Sequence, residues 1–180
     1  LLNCIATIDT VGAGDVLRDG VSLADLSPRD LAQFLRENLG FVFQDFNLLD
    51  TLTLEENIGL ALTLNHQDPN GVRRRVAEVA ALLGLQDVLG KFPSQVPGGQ
   101  KQRAACARAM VAGQSLLLAD EPTGALDSTA SNHLLEHLTG MNRDPGATIL
   151  MVTPAPPPPR PAPRVLFPTD GRLCHALTRG

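Results

Sequence analysis

The sequence predicts an α/β fold: a mostly parallel β-sheet interrupted by an inserted block of helices. Three observations predict it. First, Leu116-Leu117-Leu118-Ala119 is an apolar run of strand length that stops at two adjacent carboxylates, Asp120 and Glu121. Such a run suits a buried strand that delivers acids to the carboxyl edge of a parallel sheet, where α/β folds bind ligands. Second, Leu39 to Phe43 is another short buried run, ending at Gln44. Third, the character between the two is helical from Asp45 to Ala112. The expected organisation is an α/β core of residues 1–44 and 113–180, a helical subdomain of residues 45–112, and a proline-rich segment at 154–163.

Each element has a local reason. Leu1 to Ile8 reads as the end of an amphipathic helix begun before the first residue, since no cap or turn introduces it. Residues 14–20 read as a short strand bounded by Gly14 and Gly20. Ser27-Pro28-Arg29-Asp30 caps a helix through about Glu37, with Ser27 at the N-cap and Pro28 at the first helical position. Leu39 to Phe43 follows as a strand. Thr53-Leu54-Glu55-Glu56 starts a helix through about Leu64, and Asn65 to Gly71 is a polar loop. Val72, Val76, Val79, Ala80 and Leu83 share one face of the next helix, with charges opposite. Pro97-Gly98-Gly99-Gln100 opens a helix from Lys101 to Ala112. Ser115 to Ala119 is the strand tipped by acids, Ser128 to Met141 is a helix, and Thr148 to Thr153 is a further apolar strand. There are no internal repeats.

Composition narrows the function classes. The chain of 180 residues is long enough for a real core, and 43% hydrophobic with 19% charged residues reads as globular. A net charge of −4 and 3% aromatics, without Trp or Tyr, argue against a nucleic-acid surface. Cys4, Cys106 and Cys174 are scattered with no metal-ligand spacing, which suits a reducing compartment. His66, His133, His137 and His175 form no zinc pattern; His133 and His137 read as helix-surface residues. No apolar run approaches the roughly 20 residues of a bilayer span, and no signal peptide opens the chain, so a membrane role would come through a partner.

The chemistry lies in the order of the motifs. Val42-Phe43-Gln44-Asp45-Phe46-Asn47-Leu48-Leu49 comes first, then Pro93-Ser94-Gln95-Val96-Pro97-Gly98-Gly99-Gln100-Lys101-Gln102-Arg103, then Leu118-Ala119-Asp120-Glu121-Pro122-Thr123-Gly124-Ala125-Leu126-Asp127. This order resembles the nucleotide-binding subunit of ABC transporters, from Leu1 to about Thr153 and again from Arg164. Asp45 to Thr53 looks like the bacitracin and antimicrobial-peptide export branch. The resemblance implies a P-loop NTPase-like sheet, ATP and Mg2+ as cofactors, a head-to-tail homodimer, a membrane permease as partner and no nucleic acid. It implies a cytoplasmic location, peripheral on the inner face of the plasma membrane. Carried over by matching position, Asp120 would hold Mg2+ through water and Glu121 would polarise the attacking water. Gln44 would reach the metal or the water. Pro97, Gly98, Gly99 and Gln100 would close the partner subunit's ATP, with glycine N–H groups at a helix start facing phosphate. Asp127 would contact the opposing subunit.

Three departures shape the expectation of activity. No G-x-x-x-x-G-K-[ST] string occurs in these residues. Pro97 stands where the signature serine belongs; with neither hydroxyl nor N–H it removes phosphate donors, each worth about 1.5–3 kcal/mol. Pro154 stands where the family carries a switch histidine, and residues 154–163 hold seven prolines. That run would be polyproline II, from a compensated frameshift or as a ligand for an adaptor domain. From these departures the expected fold lacks the P-loop strand. The expected protein is a truncated, partly degenerate fragment, predicted inactive, with a catalytically dead or docking-only remnant as the alternative. One rival of another class exists: Asp9-Thr10-Val11-Gly12-Ala13-Gly14-Asp15 resembles the D-T-x-G-A-G-D signature of ribokinase-type sugar kinases. Its context rejects it, because that signature needs a helix directly after the final Asp, and Val16 to Gly20 reads as strand and turn.

Overall fold

The structure is a computed structural model and describes residues 1–141, 147–153, 164–169 and 172–178. It opens with one turn of helix, α1 (Leu2–Ile5). Strands β1 (Leu17–Arg18) and β2 (Val21–Ser22) then pair antiparallel. Asp19 and Gly20 between them have φ values of 50° and 82°, the positive pair that a two-residue hairpin turn needs. The single strand expected over 14–20 is therefore a hairpin: Gly20 makes a turn inside it. No helix follows Asp15, whose carboxylate accepts from the Ser22 hydroxyl at 2.9 Å, so the sugar-kinase geometry is missing.

Helix α2 (Pro28–Asn38) starts as its sequence requires. The Ser27 hydroxyl accepts the Asp30 N–H at 3.2 Å. Strand β3 (Leu39–Val42) follows directly. Helix α3 (Leu54–Leu64) opens on a reciprocal cap. Thr53 Oγ1 accepts the Glu56 N–H at 3.3 Å, and Glu56 Oε2 accepts the Thr53 N–H at 2.7 Å. Helix α4 (Pro69–Leu82) begins inside the stretch expected to be loop. Asp68 is its N-cap, accepting the Gly71 N–H at 2.9 Å, and Pro69 fills the first position. Helix α5 (Gly98–Met110), strand β4 (Leu116–Asp120), helix α6 (Ser128–Met141) and strand β5 (Thr148–Val152) complete the main body. Strands β6 (Arg164–Thr169) and β7 (Arg172–Thr178) form a separate antiparallel pair, with a register shift at Phe167/Pro168 where a proline cannot donate. The proline run at 154–163 lies outside the described residues.

Among the described residues, β3, β4 and β5 form one parallel sheet in that order, with β4 central. Alternation along β4 gives the sheet two apolar faces. Leu117 and Ala119 join Val42, Leu54, Ile58, Val76, Ala104, Leu134 and Leu138 in the main core, on the side of α3, α5 and α6. Leu118 faces the other way, where Leu2 and Ala6 are buried against it. Gly40 sets how closely α5 lies on β3, since a Cβ there would run into the Ala109 carbonyl oxygen. No helix of the described residues is long and apolar enough to cross a membrane.

Candidate functional site

The parallel register decides which residues share an edge. Val42 pairs with Ala119, and Asp120 pairs with Val152. The carboxyl ends of all three strands therefore lie together, and each chain leaves the sheet there. Gln44 emerges two residues past Val42, and Asp120 and Glu121 end the central strand. Gln44 is exposed, and Asp120 and Glu121 are partly so. Among the described residues none of these three side chains has a protein hydrogen-bond or ion-pair partner.

Backbone geometry presents Glu121. Its φ is 47°, in the left-handed region, which costs about 1–2 kcal/mol for a residue with a Cβ. Two bonds hold it: its N–H donates to the Val152 carbonyl at 2.9 Å, and its carbonyl accepts the Gly124 N–H at 3.0 Å. The chain thus turns sharply at Glu121 into the buried Pro122.

The loop that follows reaches the start of α5. A Cβ on Gly99 would lie 3.5 Å from the Ala125 carbonyl oxygen and 3.6 Å from Leu126 Cδ2, whereas Gly98 has open space. The glycine pair and the segment after the two acids are neighbours within one chain. Pro97 is the N-cap of α5, one position earlier than a first-turn proline. Its carbonyl accepts the Gln100 and Lys101 N–H groups at 3.0 and 3.1 Å. The Gly98 and Gly99 N–H groups sit at the open helix start, where no intrahelical acceptor exists. Asp127 caps α6: its Oδ1 accepts the Ala130 N–H at 2.8 Å and its carbonyl the Ser131 N–H at 2.9 Å. Gln100 is half-buried on the same first turn of α5.

The anchoring contacts of three residues, Asn57, Arg108 and the motif residue Arg103, were not legible in the sequence. Asn57 is fully buried. Its Oδ1 accepts the Leu49 N–H at 2.8 Å, and its Nδ2 donates to the Leu49, Leu52 and Thr53 carbonyls at 2.9–3.0 Å. Arg108, on α5, donates through Nη2 to the Phe46 carbonyl at 2.9 Å and through Nη1 to the Asn47 carbonyl. Phe46 and Asn47 are themselves left-handed, with φ of 61° and 50°. Burial holds the Arg108 guanidinium below its ordinary range. Arg103 fastens the other side of α5 by donating to the Leu83 carbonyl at 3.0 Å. A polar residue between Leu54 and Ile58 on an apolar helix was the available signal for Asn57; the arginines gave none, because backbone carbonyls leave no mark in sequence. Next to Arg108, burial pushes the Cys106 thiol up to about 12, so it is an inert core side chain.

A cleft of about 260 Å³ lies at the opposite end of the sheet. It is lined by Arg18, Asn38, Leu39, Leu116 and Thr148, the last three being the first residues of β3, β4 and β5. None of the candidate residues touches it. The candidate site is an open rim, the form expected of a site completed by a second surface.

The sequence pattern of the ABC transporter family matches residues 1–124. The chain belongs to the ABC transporter ATP-binding family. It is 49% identical to the ABC transporter ATP-binding protein YxdL of Bacillus subtilis, over all of this chain and 70% of that protein. It is 41% identical to the bacitracin export ATP-binding protein BceA of Halalkalibacterium halodurans, over all of this chain and 71% of that protein. It superposes on a dimeric post-hydrolysis state of the ATP-binding cassette MJ0796 bound to ADP and Pi. That match has a TM-score of 0.90 and 32% identity, covering 99% of this chain and 79% of the other.

These findings overturn three expectations. The fold is not one lacking the P-loop strand, the protein is not a Walker-A-less remnant, and it is not predicted inactive. The family match begins at residue 1 and the superposition spans 99% of the chain. Physically, α1 is packed: Leu2 and Ala6 are buried on the sheet beneath Leu118. A motif missing from a stretch that spans 70% of a relative was not a sign of decay. The ABC transporter ATPases use ATP and Mg2+, and the residues present fit that pair. The described residues hold no cluster of three His, Cys, Asp or Glu side chains that could cage an ion. They offer one or two unpartnered carboxylates and an amide, which suits a metal bound chiefly by water and phosphate oxygens.

Proposed function

We propose that this domain binds and hydrolyses ATP as the motor subunit of an ABC transporter. One observation carries the reading: at a single sheet edge, Asp120 and Glu121 stand with free carboxylates beside the Gln44 tip, in a fold shared with a cassette bound to ADP and Pi.

Each residue then has a role. Asp120 would hold Mg2+ through water, and Gln44 would reach the same ion or the attacking water. Bound Mg2+ neutralises phosphate charge and orients the oxygens. Glu121 orients the water and takes its proton through Oε, and its left-handed backbone makes the sharp turn at the strand end. Phosphoryl transfer asks for little more than such positioning. Gly98, Gly99 and Gln100 offer N–H groups and an amide at the start of α5 to the nucleotide of a second subunit, with Pro97 contributing shape. Asp127 lies at the seam between subunits. This arrangement is a head-to-tail homodimer with two nucleotides. It divides the chain into an α/β core of residues 1–44 and 113–180 and a helical subdomain of residues 45–112. The segment from Gln44 to Leu64 receives a membrane permease, which places the protein on the cytoplasmic, inner face of the plasma membrane. The finer reading is the export branch for bacitracin-like peptides. It is supported by the wording of Asp45 to Thr53 and by the 41% identity to BceA.

The test is ATP turnover by the protein and two variants. Glu121→Gln should lower kcat roughly a hundredfold or more while ATP still binds, as loss of a general base does. Asp120→Asn should raise the Mg2+ concentration needed for half-maximal rate. Unchanged turnover in Glu121→Gln rejects the assignment.

A further inference from the structure

We propose that Arg108 is a positioning residue for Gln44: its guanidinium fastens the loop behind Gln44 to the helix that begins at Gly98-Gly99. The proposal rests on the role given to Gln44 above. The geometry is specific. After β3 ends at Val42, the chain passes Gln44 and Asp45, both exposed, and enters two consecutive left-handed residues, Phe46 and Asn47. Asparagine tolerates that conformation, but a phenylalanine adopts it only where the surroundings impose it. Arg108 supplies the restraint by binding both of their carbonyls from α5, about 60 residues away in sequence. Two carbonyls on one planar guanidinium fix direction as well as distance, which a single point donor cannot do.

A second anchor sits just beyond. Asn57 of α3 binds Leu49, Leu52 and Thr53. The loop is thus pinned to the helices from Phe46 onward and tied to the sheet up to Val42. Only residues 43–45 lie between the two holds, and Gln44 is in the middle of them. Arg108 is ten residues past Gly98 on one rigid helix, a distance of roughly 15 Å at 1.5 Å per residue. Any displacement of the glycine pair by a nucleotide is therefore passed along α5 to Arg108 and, through two carbonyls, to Gln44. No other described side chain bonds Phe46 or Asn47.

The experiment compares Arg108→Ala, Arg108→Lys and Arg75→Ala with the unaltered protein. Arg75 binds the Val111 carbonyl just past α5 and controls for loosening of that helix end. In Arg108→Ala we expect kcat to fall about tenfold with the KM for ATP within about twofold, the pattern of a lost positioning contact. Arg108→Lys, able to reach one carbonyl well, should recover part of the rate; Arg75→Ala should keep it. Hydrogen–deuterium exchange supplies the arm that needs no turnover. Amides of residues 43–49 should exchange faster in Arg108→Ala, with β4 unchanged. An equal loss of rate in Arg75→Ala, a KM that rises with unchanged kcat, or unaltered exchange at 43–49 would overturn the proposal. Absence of turnover in the unaltered protein would reject the ATPase reading, and exchange would still decide whether Arg108 holds the loop.

Discussion

Asn57 sits in α3 between Leu54 and Ile58, yet its amide belongs to the loop before the helix. Asn57→Ala would remove the side-chain bonds to the Leu49 N–H and the Leu52 carbonyl, while the Leu49 and Thr53 carbonyls keep the backbone N–H groups of residues 52 and 57, at a cost of about 2–3 kcal/mol. A urea unfolding midpoint shifted down with an unchanged slope is the expected result, and an unmoved midpoint would contradict it. Residue by residue, the sequence was legible where chemistry shows in the side chain itself. Asp120 and Glu121 stood out because two carboxylates ended an apolar run. Asn57 and Arg108 did not, because their partners are backbone groups fixed only by the folded loop. The left-handed turn at Glu121 was equally hidden, since the proline after it disfavours a helix but does not dictate a positive φ.

Among the elements, the starts of helices were read well and the close approaches were not. Thr53 and Glu56 announce α3 by their spacing. Hydrogen bonding to the Thr53 backbone, then to its hydroxyl, lowers the Glu56 pKa from 4.5. A carboxyl whose folded pKa is depressed stabilises above its unfolded value and loses that support as pH falls through the folded one. Stability measured downward from pH 4.5 should therefore fall more steeply in the unaltered protein than in Glu56→Gln; parallel curves would deny the cap a role. Asp68-Pro69 carried the same kind of signal, and α4 indeed starts there, inside what polarity alone marked as loop. Gly40 is the opposite case. It looks like any strand glycine, but it lets α5 rest on β3. Gly40→Ala should cost about 1–3 kcal/mol through overpacking, visible as a lowered melting temperature. A melting temperature equal to or above that of the unaltered protein would mean that the helix can yield.

Across the whole molecule, the parallel sheet with helices inserted between β3 and β4 was legible, because strand-length apolar runs and helical periodicity alternate in a way few folds allow. The state of the protein was not legible, because missing and substituted motif residues leave a mark in sequence whereas agreement with the family fold over 99% of the chain shows only in the structure. Leu2, Ala6 and Leu118 bury one face of the sheet and the α3–α5 cluster buries the other. The rim holding Asp120, Glu121 and Gln44 is open. In the proposed dimer this rim and the Gly98-Gly99 helix start of a second copy enclose one nucleotide. Sedimentation velocity of the Glu121→Gln protein with and without Mg-ATP tests it most directly. A monomer that becomes a dimer only with Mg-ATP is the predicted result; a monomer at saturating nucleotide, or a dimer indifferent to it, would contradict the account.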